Sequence, residues 1–276
     1  MTTELNQGGE FEPIHAAHAI EQVAFVLQFD RPIDDTIFSN LLAESEKFKE
    51  ELPGKFLLQG MNIAIGNQAF TQQNISAGLM LQRAAPDTSI ELELRIERSS
   101  LTFRTTRYTR WDTVWAQASK YFNAFLPLYL DQVRLLAVSL NYIDKFAWNG
   151  DPSNCVVSAM IRSESKYVCG HVFEAKDFWH SHTGLFIRVD DYTKRLLNVN
   201  LDYLDEPRPE GPKRIISITT VVTDQLSQPG YNEYLGTKEE ALAMVNTRMN
   251  DMHTFGKAVL GDIMTPQMSK RIALTE

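Results

Sequence analysis

Between Tyr167 and Phe186 the chain reads YVCGHVFEAKDFWHSHTGLF, which places Cys169, His171, His180 and His182 within fourteen residues. These are zinc-ligand side chains. On extended backbone, residues two apart point the same way, so Cys169 with His171 and His180 with His182 could each supply two donors to one tetrahedral ion. A metal-dependent hydrolase could be built on such a set. The spacing matches no standard zinc module, however, and Phe178 and Trp179 point to packing. Histidines in a connecting segment explain the same letters, so no metal is assigned.

A second constellation is RTTRYTRW, where Arg104, Tyr108, Arg110 and Trp111 gather, with Arg107 among them, at an expected helix start. Helix N-termini present unpaired N–H groups and a positive dipole end, and arginine adds bidentate contacts to anions. A phosphate, a nucleotide or an acidic protein segment would suit the place. The competing reading is that Arg110 pairs with a nearby carboxylate while the aromatics anchor the helix on its sheet. A third group is Asn198, Asn200 and Asp202, with Asn141 and Asp144 added from another strand. On a covered sheet these would line a pocket, but on an open one they are a wet face, and their alternation with apolar residues predicts the wet face.

Established catalytic patterns are absent: the chain has no G-x-S-x-G, P-loop, G-x-G-x-x-G or H-E-x-x-H. Asp190-Asp191 and Glu239-Glu240 are adjacent pairs, which regular structure points apart. The expectation is a non-enzymatic binding protein without a cofactor, recognising a protein partner or an anionic small molecule.

The elements that must position these residues follow from patterning. A share of 43% hydrophobic and 22% charged residues over 276 positions is globular composition. The net charge of -8 argues against a dedicated nucleic-acid binder. No apolar run approaches a membrane span, the start MTTELNQGGEFEP has no secretory pattern, and two cysteines make no disulfide framework. A cytoplasmic protein without a membrane partner is expected.

Residues 1–12 read as a flexible arm. VAFVLQF reads as a buried strand, and Ile37, Phe38, Leu41, Leu42, Ser45, Phe48 and Leu52 as a helical stripe ended by Pro53-Gly54. Shorter strands are expected near 56–65 and 78–83. IELELRIE and LNVNLDYL alternate strictly and predict half-buried antiparallel strands. TRWD has the form of a capping box with Thr109 as N-cap and Asp112 at N3, and Pro127 should kink or end the helix it opens. VRLLAVSLNYI and RIISITTVV read as strands, 238–260 as a long helix, and Thr265-Pro266 as the start of a short one. The stretch 144–183 reads as irregular.

AFVLQFD and AVSLNYID stand at corresponding places in two similar runs of elements. The fold class expected is α+β, with two pseudo-repeated halves, 13–131 and 132–276, each an antiparallel sheet with two helices. The sheets could be joined.

The segments PIHAAHAIEQVAFVLQFD, LTFRTTRYTRWDTVWAQASKYFNAF and MNDMHTFGKAVLGDIMTPQMSKRIAL carry a resemblance. With Tyr108, Arg110, Trp111 and Asp112 at one helix start, and His253, Phe255, Val259, Thr265 and Pro266 near the end, the chain resembles a family of sporadically distributed bacterial proteins. That resemblance implies a soluble, duplicated α+β protein of the kind carried with mobile elements or phage defence, and it implies no established activity. The family pattern contains no Cys/His cluster, and 144–183 departs from it most.

Overall fold

The computed structural model describes residues 9–65, 70–209, 211–226 and 237–274, with backbone only at 61–65 and 70–75. Its frame is one antiparallel sheet. In chain order the strands are β1 (Glu10–Pro13), β2 (Ile20–Phe29), β3 (Gly54–Ile65), β4 (Phe70–Ala84), β5 (Ile90–Glu97), β6 (Ser100–Thr105), β7 (Leu135–Asn149), β8 (Trp179–Arg188), β9 (Lys194–Glu206) and β10 (Lys213–Gln225). They lie in the order β3-β4-β5-β6-β2-β7-β10-β9-β8, and β1 pairs with the far end of β7. The α-helices among the described residues are α1 (Asp35–Ser45), α2 (Trp111–Tyr129), α3 (Lys238–Ile263) and α4 (Pro266–Arg271). The fold is therefore α+β, and the strands of both halves of the chain join along β2 and β7 into a single sheet.

The alternation read from the sequence sorts the two faces. Leu92, Leu94 and Ile96 on β5, and Leu197, Val199, Leu201 and Tyr203 on β9, are buried. Phe25, Phe103 and Leu140 join them, and α2 covers this face with Val114, Ala118, Phe122 and Phe125. The opposite face is polar. There Asn198, Asn200 and Asp202 are only half-buried, as a wet face requires.

Several boundaries differ from the sequence reading. Residues 10–12, read as part of a loose arm, belong to β1, because Phe11 is buried edge-on against Trp148 with centroids 5.1 Å apart; residues 1–8 of that arm lie outside the described residues. The N-cap of α2 is Arg110, with extended φ/ψ of −145° and 154°, so Thr109 is not the cap and Asp112 stands one place earlier in the first turn than a capping box needs. A capping box does open α3, made by Thr237 and Glu240. Pro127 sits in the last turn of α2, which ends at Tyr129. Strands β3 and β4 are longer than expected. In the stretch read as irregular, β7 runs on to Asn149 and β8 begins at Trp179, with short 3-10 turns between.

A buried charge cluster fastens α3 to the sheet. Arg195 on β9 makes a bidentate pair with its cross-strand partner Asp224 on β10, at 2.7 and 2.9 Å, and reaches Asp251 of α3 at 2.6 Å. Arg248 of α3 returns to Asp190 and to the Thr193 hydroxyl, the latter at 2.8 Å. Asp224 is wholly buried and shared by Arg195 and Arg248, so removing its charge leaves these two guanidinium groups only the more exposed Asp251 and Asp190. Asp224→Asn is expected to cost about 1.5–3 kcal/mol. Arg188→Ala, which breaks an exposed pair with Asp191, should cost less than about 1 kcal/mol. Urea denaturation midpoints of the two variants check the contrast.

Candidate functional site

Strand β7 places an acid where its pattern calls for a hydrophobe. Leu140, Tyr142, Asp144, Phe146 and Trp148 follow one another at period two and all face the helices. Asp144 is 3% exposed, between its cross-strand partners Ile20 on β2 and Ile218 on β10. Among the described residues nothing hydrogen-bonds its carboxylate. Burial without a partner penalises the charged form, and the Asp144 carboxyl is pushed up to about 7.

Aromatic and imidazole groups surround this acid. The Tyr142 hydroxyl lies 2.9 Å from His253 Nδ1 on α3. The His253 ring stacks flat on Trp111 at 4.1 Å, and the Trp111 indole N–H donates to Asn250 Oδ1 at 2.7 Å, which fixes the start of α2 against α3. Burial, helped by the charge of Lys257, lowers His253 to about 4, so its ring is neutral at physiological pH. Tyr108 is raised to about 12 by burial and by the nearby Asp144 charge, so it stays a phenol. His18 Nε2 donates to the Tyr108 carbonyl at 3.1 Å, since a carbonyl only accepts. The His18 ring also meets the Ile20 backbone. Thr220 Oγ1 is buried and unpartnered.

These groups line one cavity of about 490 Å³. Asp144, Tyr142 and Thr220 form its floor on the sheet. One wall is the segment Ala17–Ile20, which bulges out between β1 and β2, and another is Tyr108–Trp111. Helix α3 supplies His253, Gly256, Lys257 and Leu260, and the turn after α4 closes the cavity with Ile272, Ala273 and Leu274. Ala273 holds φ at 51°, a left-handed conformation that costs an alanine roughly 1–2 kcal/mol. Gly256 lies within α3, and a Cβ added there would meet nothing within 4 Å. A glycine inside a helix costs about 1 kcal/mol against alanine, and the space it leaves is the cavity itself.

The structure distributes the sequence-read residues unevenly. Tyr108, Arg110 and Trp111 come together on the cavity wall, and Arg104 does not join them. Arg104 lies on the polar face of the sheet, bound to Gln22 Oε1 at 3.0 Å and to Glu93 at 3.3 Å. The carboxylate pairing read for Arg110 is instead made by Arg104 and by Arg107, which meets Glu91 at 3.0 Å. Arg110 and Lys257 are exposed at the rim, without an ion pair among the described residues.

In the Cys/His stretch, His180 Nδ1 pairs with Asp202 at 2.7 Å, while His182 lies 3.5 Å from Asn198 Oδ1. His171 reaches the His180 carbonyl at 3.4 Å. Among the described residues no three of these or other ligand side chains converge on a point that could hold an ion. Asn141 and Asp144, grouped in the sequence reading with the wet face, lie on opposite faces of β7, because an offset of three residues reverses direction on a strand.

The carboxyl at about 7 has a defined consequence for stability. The folded chain holds the Asp144 proton to higher pH than the unfolded chain, so its burial penalty is absent below about 3.8 and grows until about 7. The full penalty is on the order of 4 kcal/mol. His253 acts in the opposite sense, because its neutral buried form loses stability as pH falls from 6.5 towards about 4. Asp144→Asn is therefore expected to be more stable than the parent at pH 8, with the difference closing at pH 4, in chemical denaturation at the two pH values. Equal profiles for the two proteins would mean that Asp144 has a partner in solution. Gly256→Ala should stabilise the chain by about 1 kcal/mol in the same measurement.

No family model matches the chain, and no curated protein matches it.

Proposed function

We propose that the chain is a non-enzymatic binding protein whose small ligand, carrying an anionic group, occupies the cavity between the start of α2, α3 and the sheet. The observation that carries this reading is the cavity floor. A carboxylate buried without a partner costs stability, and the neighbouring Thr220 hydroxyl is equally unsatisfied. Gly256 and Ala273 add to that cost, and a cavity of 490 Å³ is the size of a small-molecule site. The anionic group meets Arg110 and Lys257 at the rim, where the first turn of α2 also presents unpaired N–H groups.

Binding is favoured over catalysis because the cavity holds no activated nucleophile. His253 has one ring nitrogen on the Tyr142 hydroxyl and is a weak base at about 4, and both phenols stay protonated. The binding reading is also preferred to the metal-dependent alternative because, among the described residues, no three of Cys169, His171, His180, His182 and other ligand side chains gather as a metal site requires.

A duplication remains part of the proposal. Outward from the central pair, β2 is followed by β6, β5, β4 and β3, and β7 by β10, β9 and β8, which is a similar order on each side. A setting with mobile elements or phage defence rests on the resemblance alone.

Succinate and inorganic phosphate serve as anionic probes. At least one is expected to raise the melting temperature, and Arg110→Ala and Lys257→Ala should each weaken its apparent affinity up to about fivefold, the span of an exposed charge contact. Native mass spectrometry of the purified chain should show a retained small molecule, recovered chemically unchanged. No thermal shift and no retained molecule would remove the proposal, and a ligand turned over on the protein would replace it with catalysis.

A further inference from the structure

The cavity separates charge along its depth. At the rim Arg110 and Lys257 are exposed and positive, from two different elements. On the floor Asp144 is the acidic side chain, and Tyr142, Thr220 and the wall residue His18 surround it with neutral groups. The unsatisfied atoms at depth accept hydrogen bonds: the two Asp144 carboxylate oxygens, and the Thr220 hydroxyl, which accepts as readily as it donates. Acceptors without donors call for a ligand group rich in N–H. The rings of Tyr108 and Tyr142 among the lining residues suit the same group, because a cation is attracted to an aromatic ring.

A ligand that is only an anion would bring negative charge towards a buried carboxylate and leave it without a donor. One that is only a cation would satisfy the floor but enter past two positive side chains. The floor outweighs the rim, because a buried charge is screened far less than an exposed one. Both demands are met by one kind of molecule.

We infer that the ligand of this cavity is zwitterionic, an amino-acid-like molecule whose ammonium group enters first to meet Asp144 and Thr220 while its acid group stays at the rim with Arg110 and Lys257. The inference rests on the binding reading above and adds the polarity and direction of the ligand. An ammonium has three donors, which matches the acceptors gathered at the floor. On binding, the Asp144 carboxylate becomes paired, so a protein that carries a destabilising acid when empty is stabilised more by its ligand than the contacts at the rim alone would allow.

Matched probes test the inference on the intact chain. The twenty free amino acids are compared by thermal shift at pH 7.5 with their N-acetyl derivatives, which lack the ammonium, and their amides, which lack the acid. At least one free amino acid is expected to raise the melting temperature by about 3 °C or more at saturating concentration. Its N-acetyl derivative should bind at least tenfold more weakly, and its amide should lose affinity to a smaller degree. Asp144→Asn should weaken the free amino acid at least tenfold and leave the N-acetyl form unchanged or tighter. Since Asp144→Asn is expected to be the more stable protein, unfolding cannot imitate that result. If acid-only probes shift the protein as far as zwitterions, and Asp144→Asn leaves both unaffected, the inference fails while the binding reading stands. No shift with any probe, together with no small molecule retained on purification, overturns both.

Discussion

The pairing of β2 with β7 is the constraint on which the rest of the molecule depends. Without it the strands of the two halves would be separate sheets, each with an exposed inner edge. With it, β7 is bonded on one side to β2 and β1 and on the other to β10, so its side chains are enclosed laterally along nearly their whole length. An acid in such a strand cannot turn to the edge for water. Asp144 is thus held in place by the backbone ladder, and its burial follows from the register.

The same ladder explains why the cavity lies where it does. β1 and β2 both pair with β7, but the six residues between them, 14–19, leave the sheet and return to it. That excursion leaves and rejoins the sheet at Lys145 of β7 and carries His18 beside the start of α2. Helix α3 is then fastened by Arg195, Asp224, Asp251 and Arg248, towards the other end of β10 from Ile215. The charged fastening makes α3 a fixed wall, and His253, Gly256 and Lys257 follow from it one to two turns along. Trp111 and Trp115 complete the arrangement through their indole N–H groups, each donating at 2.7 Å to an asparagine of α3. One buried polar network therefore satisfies its members and holds the helix, while a second group of polar atoms nearby is left unsatisfied. The contrast between the two is the strongest argument that the second group awaits a ligand.

The legibility of the chain followed the strength of its periodic signals. Ile90 to Glu97 and Leu197 to Leu204 are legible as strands because their apolar and polar residues alternate, although Glu93 on the polar face is itself buried among Gln82, Arg95 and Arg104. The wall residues Tyr108, Arg110 and Trp111 could be named from their types and from the approaching helix start. Arg104 stands close to them in sequence, but it lies on β6, which turns its side chain to the polar face. Asp144 is hard to single out for a related reason. It was placed with Asn141 as another polar strand residue, although the series Leu140, Tyr142, Asp144, Phe146 and Trp148 contained the signal: one acid in the apolar phase of a period-two pattern. His18 and His253 gave no such sign, since a histidine on a loop or in a helix has many ordinary explanations and only the tertiary packing brings the two to one cavity.

The Cys/His stretch shows the converse. It had the residue types of a metal site at suggestive spacing, but β8 is an edge strand, and its histidines project onto the wet face where Asp202 and Asn198 occupy them. Chemistry-bearing side chains on such a face are hydrated at little cost and need no partner, so their clustering carries little information. A single acid held at the centre of the sheet, 3% exposed on a cavity floor, carries far more. For this protein the cost of burial, and not the density of reactive residue types, is what distinguishes a site from a surface.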